Sequence, residues 1–258
     1  MSLEYKKEES ENLVEESENF QRTSVVAPVY SIILIVCLVA VFICQAIADS
    51  QNAEGLKISA IIAGFVKPFF AEGQYWRILT GAALHGGIMH LFFNSYALFS
   101  FGRLIETLSN RTHLAIIFLL AAIGGGILSF IFSPEGVSVG ASGGIVGLLG
   151  YMTVYGFKRR KLLPEGFLKD LLVNIAIIAG FGIILMSSID NFAHLGGFIV
   201  GAVYCFLQIP SDLYKDPREI GQAANILGFV ALAVFILTAI FSILLLLGII
   251  NINFPAQA

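Results

Sequence analysis

From Val29 onward the chain alternates long apolar runs with short polar clusters. A helix needs about 20 apolar residues to cross the hydrocarbon of a bilayer. Seven runs qualify, some only when polar interruptions are allowed, approximately over 29–48, 88–107, 112–132, 142–157, 168–187, 191–208 and 225–250. The fourth is short. Residues 51–87 do not make an eighth, because Lys57, Lys67, Pro68, Glu72 and Arg77 break the pattern. A moderately apolar, interrupted stretch of this length is expected in the membrane interface rather than in free water.

Composition agrees with the pattern. The 258 residues are 57% hydrophobic and 13% charged, with a mean hydropathy of +0.85, too apolar for a soluble domain that must cover its surface with polar groups. The chain is therefore read as an all-α integral membrane protein whose first partner is the lipid bilayer. A net charge of -3 offers no basic face for phosphates, which excludes a nucleic-acid partner. The Glu-rich run from Glu4 to Glu18 buries too little apolar surface to order itself and is expected to be a solvated tail. It lacks the basic start and cleavage site of a signal peptide, so it is kept in the mature protein. Cys37, Cys44 and Cys205 fall inside apolar runs, with spacing that suits neither a disulfide framework nor a metal cage, and receive no catalytic role.

Orientation follows from basic residues in short loops. Lys158, Arg159, Arg160 and Lys161 form the densest cluster, which puts that end of the fourth run in the cytoplasm. Alternating spans then place the N-terminus, Arg111 and the Lys215/Arg218 loop inside and the C-terminus outside.

Polar groups at membrane depth are costly and usually mark function. ALHGGIMHLFFNSYAL supplies His85, His90 and Asn94, the fourth run begins at Ser142, and DNFAHLGGFIVG supplies His194. His90 and Asn94 are four apart and share a helix face. His194, Gly197 and Gly201 form one stripe, and Gly143, Gly147 and Gly150 another; small residues at such spacing let membrane helices pack backbone to backbone. If the stripes face each other, Ser142 and His194, both near the outer ends of their runs, come within reach. A serine hydroxyl needs a base to take its proton, and histidine is the usual one. Ser142 also opens its helix, so free backbone N–H groups lie beside it, as an acyl-transfer oxyanion requires. His90 and Asn94 could add donors, or serve as structural hydrogen-bonding groups.

In this order the motifs resemble the rhomboid family of intramembrane serine proteases. Tyr75-Trp76-Arg77 resembles its Trp-Arg signature. His85, His90 and Asn94 match its His-x4-His-x3-Asn pattern, and Gly102 to Glu106 its Gly-x3-Glu motif. Gly140-Ala141-Ser142-Gly143 is similar to the nucleophile motif, and Ala193-His194-Leu195-Gly196-Gly197 to the base motif. The resemblance implies Ser142 as nucleophile and His194 as base without a third acid, with no cofactor. It also implies an oxyanion site at His90, Asn94 and the Ser142 N–H, with His85 and Ala141 nearby, and structural roles for Gly140, Gly143, Gly197, Gly201, Trp76, Arg77 and Glu106. Its substrates would be transmembrane helices that unwind easily, often cut after a small residue. The implied domains are a cytoplasmic acidic tail (1–27), a rhomboid-like six-helix membrane core (28–208), and a cytoplasmic loop with a seventh transmembrane helix (209–258), in a cell membrane. One departure stands out: the family usually carries an aromatic four residues after the nucleophile, and here the residue is Val146.

Competing readings are a catalytically silent rhomboid-like protein that binds transmembrane clients, and a transporter with a histidine proton relay. The latter predicts repeated halves and a continuous polar path, neither of which the sequence displays. A zinc protease is disfavoured by the lack of His-Glu-x-x-His. Asp190, four before His194, reads as an N-cap rather than a triad acid, and Arg103 with Glu106 as a structural network. Oligomeric state is not legible in the sequence.

Overall fold

The computed structural model describes residues 27–51, 57–184, 189–210 and 212–252. The acidic tail, up to residue 26, lies outside the described residues. The chain order is α1 (Val29–Ser50), α2 (Ile58–Ala63), β1 (Phe65–Val66), α3 (Lys67–Ala71), α4 (Arg77–Ala83), α5 (Ile88–Leu108), α6 (Arg111–Phe132), β2 (Val137–Ser138), α7 (Ser142–Lys158), α8 (Phe167–Ile184), α9 (Asn191–Gln208) and α10 (Gln222–Leu246). Among the described residues the long helices are α1 and α5 to α10, and each overlies one of the seven apolar runs.

Helix α7 is the centre of the bundle. Every residue from Gly143 to Thr153 is buried, with α5, α6, α8 and α9 packed around it. Such enclosure depends on small residues. A Cβ at Gly197 or Gly201 would drive into the carbonyl oxygen of Gly143 or Gly147, and one at Gly147 would strike the Ala121 methyl and come within 3.1 Å of the Gly197 carbonyl. The two glycine stripes therefore face one another, and α7 and α9 touch through bare backbone. Helix α10 lies outside this core against α6 and α1, where Phe118 meets Phe235 edge-on at 5.1 Å and Trp76 meets Phe241 at 5.3 Å.

The outer surface is apolar. Helix α8 buries only Leu171 and Gly182 and exposes Val173, Ile177, Phe181 and Ile183. Water would penalise a patch of that extent, whereas lipid tails are its natural surroundings. Among the described residues five helices, α1, α6, α8, α9 and α10, are long and apolar enough to span a bilayer. The other two long helices are more polar or shorter: α5 is interrupted by His90, Asn94, Arg103 and Glu106, and α7 has only 17 residues. The molecule is a multi-pass integral membrane protein with a six-helix core and one further helix.

Two polar arrangements depart from the sequence reading. Glu106 does not pair with Arg103, which is exposed. It is buried and accepts hydrogen bonds from the Ser31 amide (2.8 Å), the Ser31 hydroxyl (2.6 Å) and the Tyr30 amide (3.2 Å), serving the otherwise orphan N–H groups that open α1. Arg159, counted with the basic surface cluster, is 1% exposed. Its guanidinium donates to the carbonyls of Leu213 (2.9 Å), Pro210 (3.3 Å) and Lys215 (2.9 Å). The same end of the bundle holds a side-chain chain from Ser109 through Tyr151 (2.7 Å) and Gln208 (3.0 Å) to His113 (2.9 Å) and Tyr204 (2.8 Å).

Residues 57–87 form three short helices and β1, which pairs antiparallel with β2 in the register Phe65↔Ser138 and Val66↔Val137. Arg77 organises this stretch. Its Nη1 donates to the Ile61 and Gly64 carbonyls at 3.0 and 2.9 Å, its Nε donates to Gln74 Oε1 at 2.5 Å, and the guanidinium lies over the Trp76 ring at 4.5 Å.

Candidate active site

The first turns of α5, α7 and α9 meet at one end of the bundle. Ser142 opens α7 behind Ala141, so the amides of its first turn have no intrahelical partner. His194 stands in the first turn of α9, which Asp190 caps by accepting from the Ala193 amide at 3.0 Å. The stacked glycines bring these turns together: a Cβ on Gly143, next to Ser142, would lie 3.4 Å from the carbonyl oxygen of Ala193, next to His194. His194 is within electrostatic reach of both Asp190 and His90. Among the described residues no side-chain hydrogen bond joins Ser142 to His194. Val146 is buried one turn further along α7.

The loop before Ser142 is shaped by Gly140. Its φ is +133°, a conformation that disfavours any side chain, and a Cβ there would sit 2.7 Å from His90 Cε1, 3.0 Å from His90 Nε2 and 3.6 Å from Asn94 Nδ2. The Gly140 backbone thus rests directly on both side chains. Its amide donates to the Gly81 carbonyl at 2.9 Å, anchoring the loop to α4. His90 Nδ1 accepts from the Gly86 amide at 3.3 Å. In the neutral ring the proton is then on Nε2, the edge facing Gly140. Asn94 Nδ2 is buried with no hydrogen-bond partner, a donor left open at some energetic cost.

His85 supports this edge from behind. The Gln45 side chain grips its backbone, donating to the His85 carbonyl at 2.6 Å and accepting from its amide at 3.1 Å. Its ring meets His90 edge-on at 5.2 Å, and both ring nitrogens are buried. Burial first, and the neighbouring His90 second, push its pKa down to about 3, so the ring is neutral.

Asp190 does more than cap α9. Its Oδ2 accepts from the hydroxyls of Ser129 and, at 2.6 Å, Ser138, and Lys67 Nζ approaches to 3.6 Å. Burial alone would raise the pKa of this carboxyl. The two hydroxyls, the Ala193 amide and Lys67 outweigh it, leaving the pKa below the ordinary carboxylate value. Ser138, Ser142, Asp190, Ala193, Gly140 and Gly81 line a cavity of about 40 Å³, room for a few water molecules. Gln45, Lys67 and Ser138 were not singled out for function from sequence. Each is a polar residue set among apolar neighbours, the one signal that could have drawn attention to them. Among the described residues no group of three or more His, Cys, Asp or Glu side chains could hold a metal.

Known proteins share this arrangement of sequence. The family model described as Rhomboid domain matches residues 72–211. The chain is 43% identical over 131 residues to the Rhomboid protease GluP of Bacillus subtilis (strain 168), covering 51% of this chain and 25% of that protein. It is 34% identical over 159 residues to RHOMBOID-like protein 6, mitochondrial, of Arabidopsis thaliana, covering 58% and 49% of the two chains. With RHOMBOID-like protein 9, chloroplastic, of the same plant, it shares 28% identity over 204 residues, 78% and 45%. The match spans between a quarter and a half of the length of these relatives. Since the matched span runs from just before α4 through α9, takes in every group at the bundle end just described except Gln45 and Lys67, and exceeds half the sequence, the chain belongs to the rhomboid family.

Proposed function

We propose that the protein is an intramembrane serine endopeptidase that cleaves transmembrane segments of other membrane proteins with Ser142 as nucleophile and His194 as general base. The observation that carries this reading is the backbone contact of α7 with α9, which have Ser142 and His194 in their first turns. Ser142 Oγ gives its proton to His194 and bonds to the scissile carbonyl carbon. The displaced electron pair goes to the carbonyl oxygen, which accepts hydrogen bonds from the Ser142 amide, His90 Nε2 and Asn94 Nδ2. Collapse breaks the C–N bond, and the leaving amine takes the proton from His194. Water then attacks the acyl-enzyme while giving a proton to His194, and Ser142 Oγ regains that proton as the new carboxyl group departs. The cavity beside Ser142 is a suitable reservoir. A helical peptide bond is screened by its own hydrogen bonds, so the substrate has to unwind locally first. The substrate is taken from the bilayer, and the proposed setting is a cell membrane with the N-terminus in the cytoplasm.

A second reading, a silent client-binding protein, is favoured by the unformed Ser142–His194 hydrogen bond and by Val146 in place of an aromatic. Catalytic hydrogen bonds are often loose before substrate binds, which weakens the first of these points. Labelling of reconstituted protein with a fluorophosphonate separates the two. Wild type should label, Ser142→Ala should not, and His194→Ala should label about 10²- to 10⁴-fold more slowly. Wild type that is folded yet inert would favour the silent reading.

A further inference from the structure

We infer that Asp190 is a positioning residue that clamps the nucleophile loop to the base helix, an inference that rests on Ser142 and His194 as the reacting pair. Capping explains only one of its oxygens. Oδ1 takes the Ala193 amide, one residue before His194. Oδ2 faces away from α9 and gathers three other parts of the molecule: Ser138 at the end of β2, Ser129 in α6 and Lys67 after β1. Ser138 stands four residues before Ser142 in a segment whose only ladder is the two-residue pairing with β1. Lys67 is tied to that segment a second time through its amide, which donates to the Gly136 carbonyl at 3.1 Å, and its side chain is 4% exposed. Proton transfer from Ser142 to His194 needs the two at hydrogen-bond separation, yet no side-chain hydrogen bond joins the pair, and at this end their helices meet through glycines. The Asp190 carboxylate is the group on the base helix that reaches the nucleophile strand, so it sets how the loop seats against α9. It touches no reacting atom.

Three substitutions in the full chain test the clamp. Asp190→Asn keeps a good N-cap while removing the charge, Ser138→Ala cuts the link to β2, and Ser138→Thr keeps its hydroxyl. Labelling of Ser142 by a fluorophosphonate should slow about ten- to a hundredfold in Ser138→Ala and in Asp190→Asn, with the unfolding temperature of Ser138→Ala near wild type. Ser138→Thr should recover the wild-type rate, and the double variant should be no slower than the slower single. Wild-type labelling rates in Ser138→Ala, or multiplied losses in the double variant, would overturn the clamp. Hydrogen exchange reads the clamp without relying on serine chemistry. Ser138→Ala should raise exchange at residues 191–196 across the clamp as well as at 137–146; a rise confined to 137–146 overturns it. Were wild type itself inert, the Ser142–His194 reading would fall, and the exchange pattern would still decide whether Asp190 joins the two segments.

Discussion

At Gly140 two constraints coincide: a φ of +133° and contact with the His90 ring. Gly140→Ala therefore has no comfortable conformation and no room. The strain should cost about 1–3 kcal/mol of stability, and the displaced His90 should slow fluorophosphonate labelling; thermal unfolding and labelling of the same preparation measure both. Asp190 makes a prediction about pH. Its carboxyl pKa is depressed in the fold, so its ionised form binds the folded state better and the stabilisation is complete above the ordinary carboxylate value of about 3.9. It is lost as pH falls through that value and below. The gap in unfolding temperature between wild type and Asp190→Asn should be constant from pH 7 to pH 5 and close on further acidification. A gap unchanged at the acid end would mean the carboxylate charge is not what the site uses.

Between elements, the tightest constraint is the seam of α7 and α9. Gly197→Leu would place a branched side chain where the Gly143 backbone now lies. Overpacking of this kind costs about 1–3 kcal/mol in a core that can adjust, and backbone adjusts least. The variant should melt markedly lower in detergent and lose labelling together with stability, whereas leucine at Gly180, which has nothing within 4 Å, should do neither. The seam was legible in the sequence because glycine at every third or fourth position among Leu and Ile has few other uses in a membrane helix. The long helices were legible because run length alone separates a span from a loop. The β1–β2 ladder was not, since two residues make no periodic signal, and neither was the link from Ser138 to Asp190, since nothing local encodes a bond across 52 positions. Charge misled in two places. Arg103 and Glu106 are neighbours on one helix, but the orphan amides of α1 compete better for Glu106, and Arg159 reads as surface charge although three loop carbonyls bury it.

For the whole molecule the open question of physics is which way the bundle faces. Exposed Arg103, Arg111, Arg160 and Lys161 stand at the end away from Ser142, while the exposed charges at the Ser142 end include Glu72 and Glu135 against Lys57, Lys67 and Arg77 there being buried. Basic residues in short loops are retained on the cytoplasmic side, so this asymmetry predicts that Ser142 and His194 lie toward the outside, even with Arg159 discounted as buried. Single cysteines report the orientation. Cys37, Cys44 and Cys205 are not exposed and lie within helices read as spans, out of reach of a charged maleimide. In intact cells that reagent should modify Glu135→Cys at once and Lys161→Cys only after permeabilisation. The reverse order would turn the site toward the cytoplasm and with it the water, the pH and the flanking segments that a substrate presents. The orientation thus decides which end of a client helix could unwind into the His90, Asn94 and Ser142 edge, and the two cysteines decide the orientation.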